Sequence, residues 1–214
     1  MYLLECGESS CAPKVKGHTS RTIYETCSPT KEQLRSVLKM RQTITRICEF
    51  DAAHRVMNER VKCYNLHGHR FKVEITFSFE QTEEIGYAID FKEIKRIACQ
   101  WIDEHLDHAG IFNPEETGLI DMCKKEGWRL FPMGLGNEGY CNPTAENISA
   151  ELFAIIKELM KSEKLLTLEN IRLYETPNCW VDTSEPPVYK MTEEFLKSLQ
   201  EWRLDKGTMN YSNK

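Results

Sequence analysis

The chain has 214 residues, enough for one substantial core with additions or at most a small second unit. Charged residues make up 29% and hydrophobic ones 41%, an ordinary soluble composition. The net charge of -5 argues against nucleic acid or a membrane surface as partner, and no run nears the roughly 18 apolar residues of a membrane span.

In chain order, Met1 to Cys6 lacks a basic region followed by a hydrophobic stretch, so no secretory signal is expected. The nine cysteines are odd in number and scattered, which suits reduced thiols in the cytoplasm. Residues 1–42 are expected to be a partly irregular extension with a short helix over Lys31 to Met40. Cys6, Cys11, His18 and Cys27 are potential donors there, but their spacing fits no standard zinc pattern.

From Thr43 a strand is predicted, its apolar parity (Ile44, Cys48, Phe50, Ala52) ending on His54. A second begins at His67, with His67, His69, Phe71, Val73, Ile75, Phe77 and Phe79 on one face and Arg70, Lys72, Glu74, Thr76 and Ser78 on the other. If the two pair as a hairpin around residues 55–66, His54, His67 and His69 converge on the covered face. Three buried imidazoles without a partner cost free energy for each unmet polar atom, and a bound cation removes that cost. All-nitrogen donors with an open fourth position favour a catalytic zinc. Cys63, four residues before His67, is either a packing thiol or a base beside the metal.

Asp90-Phe91-Lys92-Glu93 is a helix start, followed by helical spacing of Phe91, Ile94, Ala98, Trp101 and Ile102. It ends near Asp107-His108, which is either a simple helix end or an acid–base pair. Residues 109–142 are glycine-rich and expected to be an inserted loop, with a short strand near Trp128 to Phe131. Asn142-Pro143-Thr144 is a second helix start, with Asn142 as cap and Pro143 at the first helical position. Strands are expected over Glu169 to Thr176 and within 178–189, then a C-terminal unit over 191–214, a helix over 191–203 and a frayed tail over 204–214. Glu175 stands where strand parity puts a core side chain, so its carboxylate needs donors, as the paired N–H and NH2 of a pterin or guanine ring would offer. The expected fold is α+β, a four-stranded antiparallel sheet with two helices on one face.

Together, Phe50-Asp51-Ala52-Ala53-His54, Cys63-x-x-x-His67-Gly68-His69, Ile89-Asp90-Phe91, Leu106-Asp107-His108, Pro143-Thr144-Ala145-Glu146-Asn147 and Tyr174-Glu175-Thr176 resemble the 6-pyruvoyl-tetrahydropterin synthase family over roughly residues 43–185. The three-residue gap before His67 resembles its 6-carboxy-tetrahydropterin branch. The resemblance implies a T-fold synthase domain over 43–190, assembled as trimers closing a barrel and stacking into a homohexamer. It further implies that His54, His67 and His69 hold Zn2+, that Cys63 abstracts a proton, and that Asp107 and His108 form a second acid–base element. Glu175 would anchor the pterin, with Thr144 and Glu146 assisting. The implied substrate is 7,8-dihydroneopterin triphosphate, converted to 6-carboxy-5,6,7,8-tetrahydropterin with release of acetaldehyde and triphosphate, towards queuosine and other 7-deazaguanines. The alternatives are a pyruvoyl-type synthase and a non-catalytic zinc- or pterin-binding module.

Overall fold

A computed structural model describes residues 41–186 and 190–207. The chain divides into two units, Met1–Leu38 and Lys39–Lys214. The first lies outside the described residues, as do the expected helix and the four potential donors at 6, 11, 18 and 27.

Alternating apolar residues build β1 (Gln42–His54) and β2 (His67–Phe79), which pair antiparallel from Gln42 opposite Phe79 to His54 opposite His67. Phe71, Val73, Ile75 and Phe77 are buried. Each such side chain contributes about 1.5–3 kcal/mol of burial, so a one-residue slip of register would expose the whole row. The expected parity fails only at the far end of β2. A register irregularity at Thr76/Phe77 against β5 (Thr167–Thr176) leaves Phe77, Ser78 and Phe79 all buried, and Ser78 donates its hydroxyl to Glu169.

The first predicted helix is three segments in series: α1 (Phe91–Ile94), a π-helical turn (Lys95–Cys99) and α2 (Gln100–His105). Asp90 caps the start by accepting from the Lys92 N–H, while Glu93 pairs with Arg96 rather than reaching back to the cap. The second helix, α4 (Ala145–Leu159), is capped by Thr144, whose hydroxyl accepts from the Asn147 N–H. Asn142 was the expected cap; its side chain is instead bonded to the loop after β1. β6 (Cys179–Thr183) and α5 (Glu193–Asp205) complete the chain.

Residues 109–142 overturn the four-strand expectation. They contain β3 (Ala109–Phe112), α3 (Thr117–Glu126) and β4 (Leu130–Pro132). β3 lies parallel to β1, β4 lies parallel to β3, and among the described residues the sheet has six strands in the order β4-β3-β1-β2-β5-β6. The short strand expected near Trp128 to Phe131 is β4, whereas β3, at four residues, is too short to show a period of two and was read as loop. Nor do all helices share one face. Ile111 joins the main core beneath α1, α2 and α4, whereas its neighbour Phe112 packs with Ile120 and Cys123 of α3. Adjacent strand residues point to opposite faces, so α3 covers the other side of the sheet.

Candidate metal centre and active site

The hairpin register brings the three histidines together. His54 and His67 are cross-strand partners at the end of β1 and the start of β2, and His69 opposes Ala52 two residues on. Ring centroids are 4.5 Å (His54–His67), 5.2 Å (His54–His69) and 4.9 Å (His67–His69) apart. One nitrogen from each ring lies within 4.8 Å of the others.

Hydrogen bonds fix which nitrogens face inward. His54 Nδ1 lies 2.8 Å from the Pro143 carbonyl and His67 Nδ1 2.7 Å from the Asn65 carbonyl. A carbonyl only accepts, so both Nδ1 atoms carry the proton and both Nε2 atoms present lone pairs. His54 is fully buried, and its Nε2 has no hydrogen-bond partner. Burial holds the His54 pKa below the ordinary imidazole value, against the raising effect of the Pro143 bond, so the ring stays neutral. A buried nitrogen without a hydrogen-bond partner, two rings oriented through Nδ1 and an all-nitrogen donor set fit a zinc-type cation.

Glu175 sits at the end of β5, on the parity of Ile171 and Leu173, where the core row gives way to the imidazoles. Its carboxylate is 29% exposed, with Oε1 3.6 Å from His54 Nε2 and 3.9 Å from His69 Nε2. A pocket of about 490 Å³ opens here, with His69, Arg70, Lys72, Tyr174 and Glu175 in its walls.

Cys63 is half-buried in the loop between β1 and β2. Burial raises its thiol pKa, and the carboxylates of Glu175 and Glu59 raise it further. The expected thiolate-favouring neighbourhood is therefore absent from the protein groups themselves.

Asp107 and His108 occupy the turn between α2 and β3. His108 Nδ1 lies 2.6 Å from Asp107 Oδ2, and the other carboxylate oxygen accepts from the Asp51 N–H at 2.8 Å. His108 has a φ of +58°, a left-handed conformation that costs a non-glycine residue about 1–2 kcal/mol. Its N–H donates to the Asp51 carbonyl at 2.6 Å, which holds the backbone there and leaves the ring in solvent. His69 and His108 both line a pocket of about 580 Å³ that also has Arg70, Phe112, Met122 and Trp128 in its walls. Cys63 is in the walls of neither pocket. Thr144 and Glu146 follow Pro143, whose carbonyl holds His54. Thr144 is occupied as the α4 cap, and Glu146 is exposed in the first turn.

Sequence reading missed the residues that support the site. Asn142 accepts from the Met57 N–H and donates to the Met57 carbonyl, and Asn113 donates to Asn142. Arg55, beside His54, pairs with Glu116. Arg55 and Asn142 each adjoin a motif, though Asn142 was read as a helix cap; Asn113 and Glu116 lie in the inserted segment, where no local pattern marks them.

Comparison with known proteins follows the same boundaries. Residues 43–186 match the sequence model of the family described as 6-pyruvoyl tetrahydropterin synthase. A Rickettsia bellii protein named 6-carboxy-5,6,7,8-tetrahydropterin synthase is 40% identical over 142 residues, covering 64% of this chain and 96% of that protein. A Haemophilus influenzae protein of the same name is 28% identical over 148 residues, covering 66% and 98%. The crystal structure of an uncharacterized protein from Wolinella succinogenes superposes with a TM-score of 0.55 at 20% identity, covering 68% of this chain and 99% of that one, and shares the fold.

Proposed function

The chain belongs to the 6-pyruvoyl tetrahydropterin synthase family, and from that premise we propose that it converts 7,8-dihydroneopterin triphosphate to 6-carboxy-5,6,7,8-tetrahydropterin, releasing acetaldehyde and triphosphate. The relatives named for that product support this reading. The observation that carries it to this chain's residues is the buried, unpartnered Nε2 of His54 facing the imidazoles of His67 and His69.

His54, His67 and His69 would hold Zn2+, which when bound supplies Lewis acidity to the substrate's side-chain hydroxyls. Cys63 removes a proton from the carbon beside those hydroxyls. Its thiol is raised in the metal-free protein, so it works as a base only where positive charge is brought close. Cys63 keeps that proton, and His108, oriented through Nδ1 by Asp107, exchanges a second proton on the opposite face. Glu175 receives the paired N–H donors of the pterin ring, with Thr144 and Glu146 contributing from the start of α4. We further assign the reaction to queuosine and related 7-deazaguanine synthesis in the cytoplasm. The active unit is a homohexamer built from trimeric T-fold barrels. No helix among the described residues is long and apolar enough to cross a membrane.

Incubation of the zinc-loaded protein with 7,8-dihydroneopterin triphosphate, with product masses and zinc content measured together, tests the reading. Carboxy-tetrahydropterin, acetaldehyde and about one zinc per chain are expected. A pyruvoyl product without acetaldehyde would assign the other branch of the family, and zinc and pterin binding without turnover would indicate a binding module.

A further inference from the structure

The loop carrying Cys63 has little apolar burial of its own: Val61, Tyr64 and Leu66 are all exposed. Its order comes from polar ties. The Val56 N–H donates to the Cys63 carbonyl at 2.9 Å, closing the loop's neck. Arg55 then holds the residue that follows Cys63 in two ways. Its Nε donates to the Tyr64 carbonyl at 2.7 Å, and its guanidinium lies 4.2 Å from the centre of the Tyr64 ring. A third contact fixes Arg55 itself, since its Nη1 donates to Glu116 Oε1 at 2.5 Å. The two side chains are only 19% and 13% exposed. Glu116 immediately precedes α3, so this carboxylate belongs to the segment inserted between β3 and β4.

We propose that Glu116, acting through Arg55, is a positioning residue that sets the placement of the Cys63 thiol over the metal centre. The inference rests on the reading of Cys63 as the reaction's base. A guanidinium is a rigid planar fork; with one arm fixed on Glu116, the other arm and the ring face locate the Tyr64 backbone. Proton abstraction is sensitive to displacements of about 1 Å; Glu59 accepts from the Val61 and Tyr64 N–H groups within the loop, and the Arg55–Glu116 pair ties the residue after Cys63 to the inserted segment. The inserted segment thus acquires a task in the chemistry without touching substrate.

Glu116→Gln and Arg55→Lys, made separately in the full zinc-loaded chain, keep the volume of each side chain. The readouts are kcat, KM, zinc content and the rate of Cys63 alkylation by iodoacetamide, followed by the mass of the Cys63 peptide. Both variants should lose about tenfold or more in kcat with KM changed by less than about threefold. Zinc should stay at the parent level, and the Cys63 alkylation rate should shift by at least about threefold. Retention of kcat and alkylation rate within about twofold of the parent in both variants overturns the proposal, as does zinc loss in step with kcat. Should one variant fail to fold, the other decides. If the parent itself shows no turnover, the functional reading fails, and the alkylation rates alone then support or overturn the positioning role.

Discussion

His54, His67 and His69 share a chemistry but not an environment. His54 is fully buried and locked by the Pro143 carbonyl, while His67 and His69 are half-buried. Removing any one ring breaks the donor set, but His67, half-buried at the strand start, leaves a smaller hole than fully buried His54. We therefore expect His67→Ala to fold and to bind zinc at least about 100-fold more weakly, measured by metal competition. Cys63→Ala should do the opposite, keeping parent zinc content while kcat falls by about 10²–10⁴-fold. At this scale the sequence was informative, because a period of two put all three histidines on one face. Parity likewise put Glu175 on the covered face, where it meets His54 and His69; its partial exposure at the strand end was not legible.

The inserted segment is held at two points that local pattern did not reveal. Gly136 has φ +85°, and a Cβ there would stand 2.4 Å from Thr192 Oγ1 and 3.0 Å from Phe195 Cβ. Thr192 caps α5, so this glycine lets α5 seat against the segment. Gly136→Ala adds left-handed strain to that overlap and should lower stability by about 2–4 kcal/mol in chemical denaturation. The second point is Glu151 of α4, fully buried, whose Oε1 accepts from the Gly134 N–H at 2.6 Å while Oε2 has no partner. Burial pushes its pKa up to about 7, and Cys141 is the thiol beside it, at 3.5 Å. The unfolded chain releases this proton at the ordinary carboxyl value, about 4.3, whereas the folded chain holds it until about 7. Between those values the native state binds more protons, so stability falls as pH rises. Glu151→Gln should remove that slope, and thermal melts should show the variant gaining on the parent from pH 5 to pH 8.

For the molecule as a whole, a metal that binds only the assembled hairpin stabilises the fold by mass action. Zinc at 100 times its dissociation constant adds about 2.7 kcal/mol. Chelation should lower the melting temperature, zinc should restore it, and His67→Ala should show neither effect. An unchanged parent melting temperature under chelation would argue against a metal held by this cluster.

The α+β class, the β1–β2 hairpin, the histidine cluster and both principal helices were determined by local sequence, because alternation and helical spacing repeat over enough residues to specify a buried face. The six-strand sheet was decided by tertiary structure. Ala109–Phe112 becomes a strand only because β1 offers it an edge, and Leu130–Pro132 because β3 in turn offers another. Asn142 likewise leaves the helix cap to clamp Met57, and Arg55 finds Glu116 across 61 positions. Such pairings carry no periodicity, since their partners become neighbours only after the chain has closed around its core.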